Sequence, residues 1–196
     1  GMLTTSDADA ARRLRSLRVH GLDFDAWQRY SSAGFGGYDV VEPGFKYNMT
    51  DLQASLGLHQ LARLDANHQI RERHWQAYNR GLGDLPAVEI PTAIPCEARH
   101  ALHLYTLLLR LDRLRLDRQQ FLEALKAENI GAGVHFIPVH EYAYYRRKYG
   151  YEAGTFKNAE EIGRSTVSLP LSPMLTDADV NDVIEAVRKI ATYYAR

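Results

Sequence analysis

Cysteine is nearly absent from the sequence, and neither sign of charge is in excess. One cysteine, Cys96, stands among the 196 residues, so no intramolecular disulfide can form and a disulfide-stabilised secreted domain is excluded. The 24 lysine and arginine residues equal the 24 aspartate and glutamate residues. General nucleic-acid binders and proteins of anionic membrane surfaces normally carry a basic excess, so this balance argues against both kinds of partner.

Long apolar runs are also missing. No segment approaches the roughly 20 apolar residues that a transmembrane helix needs, and the opening GMLTTSDADA lacks the basic and then apolar order of a signal peptide. We therefore expect a cytoplasmic protein without a membrane partner. The remaining composition, 45% hydrophobic and 24% charged residues, is ordinary for a globular chain that needs no disulfide or metal to hold its core.

The eight histidines do not form a metal-binding pattern. No HExxH motif is present, and His100 and His103 are three residues apart at the mouth of a predicted strand, where an odd spacing puts their side chains on opposite faces. We therefore predict no metal site. Nucleophilic catalysis is also disfavoured, because the sequence has no GxSxG turn and no evident base near Cys96.

A long helix is predicted over residues 50 to 82. Thr50 and Gln53 match a capping box at its start. The apolar residues that follow at spacings of three and four include Leu61, Leu64, Trp75, Tyr78 and Leu82. A helix of this length is expected to connect two packing units, and Gly57 indicates that another helix or a partner chain approaches it closely.

Residues 100 to 196 alternate between strand and helix patterns, which predicts a compact α/β unit with three strands and helices packed on the sheet. The predicted strands cover 102–111, 133–137 and 166–171. The predicted helices cover 117–129, about 159–164 and a last helix that opens at Thr176. Before residue 50 we predict a strand end at 2–5, a helix from Ser6 that closes at Gly21, and a glycine-rich loop over 30–44.

The segment Lys46-Tyr47-Asn48 is the first candidate site. It lies between the glycine-rich loop and a predicted helix N-terminus, where free N–H groups and partial positive charge favour an anion such as phosphate. Asn48 offers an amide hydrogen bond and Lys46 a charge-assisted one.

The second candidate mixes aromatic and basic side chains. It comprises Tyr142, Tyr144, Tyr145, Arg146, Arg147 and Lys148. Such rings can stack on a base or a sugar while the cations hold phosphate. A surface patch or a dimer contact explains the same segment equally well.

Five segments follow one another in a characteristic order. They are HGLDFDAWQRY, PGFKYNMTDLQASLGLHQLARLD, HALHLYTLLLRLD, GAGVHFIPVH and VSLPLSPMLTDADVNDVIEAV. Together they resemble the C-terminal half of the DegT/DnrJ/EryC1/StrS aminotransferases, which use pyridoxal phosphate (PLP) to move an amino group, usually from glutamate, onto a keto sugar carried on a nucleotide. DAW and KYN are most similar to the enzymes that make UDP-4-amino-4-deoxy-L-arabinose for lipopolysaccharide, although many members have N-Y-R in place of KYN.

The resemblance implies an α/β fold, the C-terminal part of a fold-type-I PLP-dependent homodimer. Residues 1–49 are then a remnant of the large PLP-binding domain, 50–82 the connecting helix and 83–196 the small three-stranded domain. By the same resemblance, Asn48 and the nearby Lys46 reach the PLP phosphate of the neighbouring subunit. His135 and Phe136 match a segment near the sugar-binding cleft, which Tyr144 and Tyr145 are expected to line.

Two catalytic groups expected from that family have no counterpart here. The lysine that forms the Schiff base and the carboxylate beside the pyridine nitrogen both lie, in the family, upstream of the segment matching Met2 to Thr5. The lysines present are Lys46, Lys126, Lys148, Lys157 and Lys189, and none matches that position. We therefore expect no catalytic residue in this chain and no transamination by it alone.

Two functional hypotheses follow. The chain is a portion of a nucleotide-sugar aminotransferase, self-associated or paired with an N-terminal half supplied by another chain. Alternatively, it is a non-catalytic module that binds a sugar nucleotide or takes part in assembly.

Overall fold

A computed structural model describes residues 2–22, 39–93, 95 and 97–196. The chain divides into two compact units, Gly1–Ala62 and Arg63–Arg196. Cys96 and the first part of the predicted glycine-rich loop, residues 30–38, lie outside the described residues, as does most of the HGLDFDAWQRY segment.

Seven α-helices occur in the described ranges. They are α1 Ala8–Leu17, α2 Asp51–Ala62, α3 Leu64–Leu82, α4 Arg118–Ala127, α5 Ala143–Tyr149, α6 Lys157–Ser165 and α7 Asp177–Tyr193. Short 3-10 helices cover Leu111–Arg113 and Val139–Glu141. None of the helices in these ranges is both long and apolar enough to cross a bilayer.

In the first unit, α1 begins at Ala8, two residues after the predicted start at Ser6. Asp7, rather than Ser6, caps it, because the Asp7 carboxylate accepts the Asp9 and Ala10 amides at 2.9 and 3.0 Å. The predicted strand end at residues 2–5 is wrong, since these residues form no strand. Gly21 follows the helix in a left-handed conformation with φ of 72°.

Helix α2 exposes most of its apolar side chains. Leu52, Leu56, Leu58 and Leu61 are exposed by 61 to 74%, and none of the twelve α2 residues is buried. A helix that is apolar on several sides and exposed is typical of a surface that another element covers.

The segment predicted as one helix over 50–82 forms two helices. Arg63 interrupts it with φ of −99° and ψ of 2°, a turn conformation. Neither proline nor glycine occurs at this point, so the sequence carries none of the usual helix-breaking signals. Of the apolar residues at this spacing, Trp75, Tyr78 and Leu82 are buried, whereas Leu61 and Leu64 are exposed by 66 and 53%.

The second unit contains the predicted three-stranded α/β arrangement, but with one strand different from those expected. β1 Val88–Glu89, β2 Tyr105–Leu109 and β3 Thr166–Leu169 form an antiparallel sheet in the order β1-β2-β3. The predicted strand 133–137 is wrong: only Gly133 pairs, as an isolated bridge to Ser168. Pro138 has no N–H to extend such a ladder, and the chain turns into the 3-10 helix that follows.

Helices α3, α4 and α7 form the core with this sheet. Helix α3 packs along α7, and α4 contacts both α7 and β3. Tyr78 donates its hydroxyl to the Pro170 carbonyl at 2.7 Å, and Tyr105 donates to Asn79 at 2.9 Å. Burial raises the pKa of both tyrosines above the ordinary value, so both hydroxyls remain donors.

Helices α4 and α7 begin with capping boxes. Asp117 and Gln120 exchange side-chain and backbone hydrogen bonds at the start of α4, as do Thr176 and Asp179 at the start of α7. The predicted opening at Thr176 is therefore confirmed.

Loss of a fully buried ring is expected to cost the second unit much of its stability. Phe121 on α4 is 0% exposed, so we expect Phe121→Ala to lower the free energy of unfolding by about 3–5 kcal/mol through lost burial and a residual cavity. Chemical denaturation followed by circular dichroism measures this change. Lys126→Ala, at an exposed position of the same helix, is the control and should stay within about 0.5 kcal/mol. Similar small effects from both variants would contradict this core.

Candidate functional site

The KYN segment of the first unit is held by backbone pairing with the end of α1. Phe45 donates its amide to Leu17 at 2.7 Å, and Tyr47 donates to Arg18 at 2.8 Å. Glycines at 21 and 44 allow this approach, because a Cβ on Gly44 would lie 2.0 Å from the Gly21 nitrogen. The segment that carries Lys46 and Asn48 therefore has a fixed backbone up to Tyr47.

Asn48 then stands two residues before a capped helix. Thr50 accepts the Gln53 amide at 3.3 Å, while the Gln53 side chain accepts the Thr50 amide at 3.0 Å, which confirms the predicted capping box of α2. The side chains of Lys46 and Asn48 are both exposed. The first-turn amides of a helix favour a bound anion, although Asp51 places one negative charge in that turn.

In the second unit, His135 is half-buried and bonded to the sheet. Its Nδ1 lies 2.8 Å from the Ser168 hydroxyl. The Phe136 ring packs edge-on against the imidazole with centroids 4.7 Å apart, and Phe136 itself is 69% exposed. An exposed aromatic ring can pack on the apolar face of a sugar or a base while the imidazole beside it offers a hydrogen bond.

Helix α5 presents a row of exposed aromatic rings. Tyr144 and Tyr145 contact edge to face with centroids 5.2 Å apart, and Tyr145 stacks on Tyr149 at 6.3 Å. The Lys148 ammonium lies 5.5 Å from the Tyr144 ring and 5.3 Å from the Tyr149 ring. The predicted combination of aromatic rings with a cation is therefore present on one short helix.

The chain after α5 is anchored by a carboxylate that no sequence motif predicts. Glu160, 5% exposed, accepts the Gly154 amide at 2.9 and 3.0 Å and the Phe156 amide at 3.3 Å. His140 lies 3.3 Å from the same carboxylate. The Gly154 amide first, and then the Phe156 amide and His140, hold the pKa of Glu160 below its ordinary value.

Ring contacts join this anchor to the α5 row. His140 packs on Phe156 at 4.8 Å, Phe156 on Tyr151 at 5.4 Å, and Tyr151 on Tyr149 at 5.7 Å. Glu160 and His140 are twenty residues apart and form no recognised motif, so only their proximity in the fold identifies them.

The predicted site residues thus fall into two groups. Lys46 and Asn48 belong to the first unit, while His135, Phe136, Tyr144 and Tyr145 belong to the second. All five lysines are exposed. In the ranges that the structure describes, no three histidine, cysteine or acidic side chains are grouped so as to hold a metal ion.

The residues present fit one end of a phosphorylated cofactor. Asn48, Lys46 and the start of α2 offer donors and positive charge for a phosphate group. The exposed lysines do not offer the desolvated amine that covalent attachment of an aldehyde favours.

Comparisons with known proteins are consistent across sequence and fold. The family described as the DegT/DnrJ/EryC1/StrS aminotransferase family matches residues 1–188. SpsC of Bacillus subtilis, a spore coat polysaccharide biosynthesis protein, is 47% identical over 97% of this chain and 49% of its own length. MJ1066 of Methanocaldococcus jannaschii is 46% identical over 98% of this chain and 50% of its own length.

Solved structures give the same result. Spr1654 of Streptococcus pneumoniae, described as a sugar aminotransferase, superimposes with a TM-score of 0.83 and 26% identity over 96% of this chain and 46% of that protein. A PLP form of Spr1654 has also been solved. The chain therefore spans about half the length of the curated relatives and solved structures that it matches.

Acid is expected to destabilise the protein partly through Glu160. Because the pKa of Glu160 is lower in the folded than in the unfolded chain, its ionised form stabilises the fold above the ordinary value of 4.5, and this stabilisation is lost as the pH falls through the lower folded value. We expect the melting temperature of Glu160→Gln to fall less steeply than that of the wild type between about pH 5 and pH 3. Glu161→Gln, at the exposed neighbouring position, should keep the wild-type slope. Equal slopes for Glu160→Gln and the wild type would count against this role.

Proposed function

The chain belongs to the DegT/DnrJ/EryC1/StrS aminotransferase family, and we propose that it is the C-terminal portion of a PLP-dependent enzyme that moves an amino group from glutamate to a keto sugar carried on a nucleotide. The observation that carries this proposal is the family match over residues 1–188 in a chain about half as long as its relatives. The description of Spr1654 as a sugar aminotransferase supports the reaction class.

The proposed product serves the synthesis of a cell-surface polysaccharide or lipopolysaccharide. The name of SpsC, which refers to biosynthesis of a spore coat polysaccharide, supports a role in the synthesis of a surface polysaccharide. Nucleotide-linked sugars are the substrates of this chemistry in the family that the sequence resembles, so we propose the cytoplasm as the compartment.

We propose that residues 1–49 belong to a large PLP-binding domain, 50–82 to the connecting segment and 83–196 to the small domain. The break at Arg63, where the two compact units also divide, lies inside that connecting segment. Hinge positions in enzymes are often single residues at the ends of such elements.

Asn48 and Lys46 are the proposed partners of the PLP phosphate in a neighbouring subunit. Both side chains are exposed, and they precede the amides at the start of α2, which supports binding of an anion there. PLP, when bound, supplies the electron sink for the reaction. The role assigned to this chain is to hold the phosphate group and orient the cofactor.

The proposed substrate-binding residues belong to the second unit. We assign His135 and Phe136 to contact with the sugar, and Tyr144 and Tyr145 to ring contacts with a sugar or a base. The fixed imidazole of His135, the exposed ring of Phe136 and the aromatic row of α5 support this assignment.

We propose further that this chain does not catalyse transamination alone. A lysine that attaches PLP needs an activated, desolvated amine, and all five lysines are exposed. The catalytic amine is then supplied by a different polypeptide segment.

Treatment with PLP tests this claim directly. After incubation with one equivalent of PLP and reduction with borohydride, we expect intact-mass spectrometry to show no stoichiometric adduct on the chain. Spr1654, which binds PLP in one of its solved forms, is the positive control under the same conditions. A single stoichiometric adduct on any one lysine would contradict the proposal.

Calorimetry with UDP-glucose separates the two functional hypotheses. Binding by the chain alone, without a PLP adduct, favours the non-catalytic sugar-nucleotide module. Binding that requires a polypeptide carrying the N-terminal half favours the divided aminotransferase.

We also expect the chain to self-associate through α2. The exposed leucines of this helix have no covering element in the first unit as described, and burial of apolar surface drives association. We expect light scattering to give a mass above the 22.3 kDa of one chain, and the double variant Leu52→Gln, Leu56→Gln to shift it toward that value. Gln60→Ala, at an exposed polar position of α2, should leave the mass unchanged. A wild-type protein that stays monomeric at high concentration would show the expectation to be wrong.

A further inference from the structure

Two side chains contact the imidazole of His135, and a glycine leaves room for it. The Ser168 hydroxyl lies 2.8 Å from Nδ1, and the Phe136 ring packs edge-on at 4.7 Å. Gly133 leaves room for the ring, because a Cβ at that position would lie 3.3 Å from the His135 Cε1 atom. The orientation of the ring is therefore determined by its neighbours.

Ser168 occupies a rigid position. It is 4% exposed in strand β3, pairs with Thr106 of β2, and exchanges two backbone hydrogen bonds with Gly133 at 3.0 and 2.8 Å. The pairing of Gly133 with Ser168 thus fixes the backbone two positions before His135. It also fixes the position of Ser168, whose hydroxyl bonds the His135 ring.

The hydrogen-bonding capacity of a serine hydroxyl decides the direction of this bond. Among the described residues, His135 is the side-chain partner that the Ser168 hydroxyl has. If Nδ1 carried the proton, the buried hydroxyl hydrogen would have no acceptor. If the hydroxyl donates to Nδ1, its buried hydrogen has an acceptor, and the ring proton lies on Nε2, which is not a buried unpaired atom.

We infer that Ser168, supported by Gly133, is a positioning residue that holds His135 in the Nε2–H tautomer, so that Nε2 donates a hydrogen bond to an oxygen of the nucleotide sugar. Nε2 of His135 has no hydrogen-bond partner among the described residues, and it is not one of their buried unpaired atoms. The substrate part of this inference rests on the proposed function. The tautomer part concerns this chain alone.

The tautomer determines which ligands the site accepts. An Nε2–H group attracts phosphate oxygens and sugar oxygens, which are acceptors. An unprotonated Nε2 would be an acceptor itself and would repel a phosphate oxygen. Ser168 therefore influences specificity without touching the ligand.

Long-range ¹H–¹⁵N NMR of protein labelled in its histidines measures the tautomer. His135→Gln identifies the His135 signals by their loss. We expect the wild type to show the Nε2–H pattern for His135. We expect Ser168→Ala to shift both ring nitrogens toward the values of an averaged tautomer mixture, and Ser168→Cys to shift them partway, since a thiol is a weak donor of similar shape.

Ser165→Ala is the matched control. Ser165 is also buried, but its hydroxyl donates to the Glu161 carbonyl at 2.8 Å within α6. This variant removes the same group at similar burial and should leave the His135 pattern unchanged. Retention of the Nε2–H pattern in both Ser168 variants, or an Nδ1–H pattern in the wild type, would overturn the positioning role.

Titration with ligands then tests the substrate part separately. UDP supplies phosphate oxygens, and UDP-glucose adds the sugar oxygens. We expect one of them to move the His135 signals of the wild type, and Ser168→Ala to weaken that binding by about tenfold. If the tautomer changes as expected but neither ligand moves His135, the placement of His135 in the substrate cleft is wrong while the role of Ser168 stands.

Discussion

On the side of strand β3 away from β2, a single residue pair, Gly133 with Ser168, forms the backbone hydrogen bonds, and the position of His135 depends on it. An edge strand leaves backbone N–H and C=O groups that need partners, and all four residues of β3 are buried. The bridge supplies partners at Ser168 and carries the chain to His135, whose ring then bonds to the same serine. Backbone pairing and side-chain orientation are thus two results of one contact.

A second anchor acts farther along the chain. Glu160 gathers the Gly154 and Phe156 amides and the His140 ring around one carboxylate. A nearly buried carboxylate is stable only when such donors replace water, so this group constrains the loop between α5 and α6. The exposed rings of α5 connect to the anchor through Tyr151 and Phe156, and their placement is therefore not a property of α5 alone.

The two groups of candidate residues have different physical character. Lys46 and Asn48 are exposed beside a helix that is itself largely apolar and uncovered, whereas His135 is fixed on a packed sheet. An exposed apolar helix is a surface that another element normally covers, and the chain spans about half the length of the relatives that it matches.

Features that depend on neighbours in the chain were determined by the sequence itself. The capping box at Thr50 and the opening of α7 at Thr176 follow from residues three apart, and the α/β class follows from the alternation of strand and helix patterns. The candidate site residues came from motifs and from the family resemblance. They are Lys46, Asn48, His135, Phe136, Tyr144 and Tyr145.

Only the tertiary structure decided the rest: the pairing of β1, the single bridge in place of a strand at 133–137, the break at Arg63, and the bonds from Ser168 and Glu160 to histidines. These depend on groups brought together from distant positions, where a strand pattern or a lone serine or glutamate has many possible partners until packing selects one.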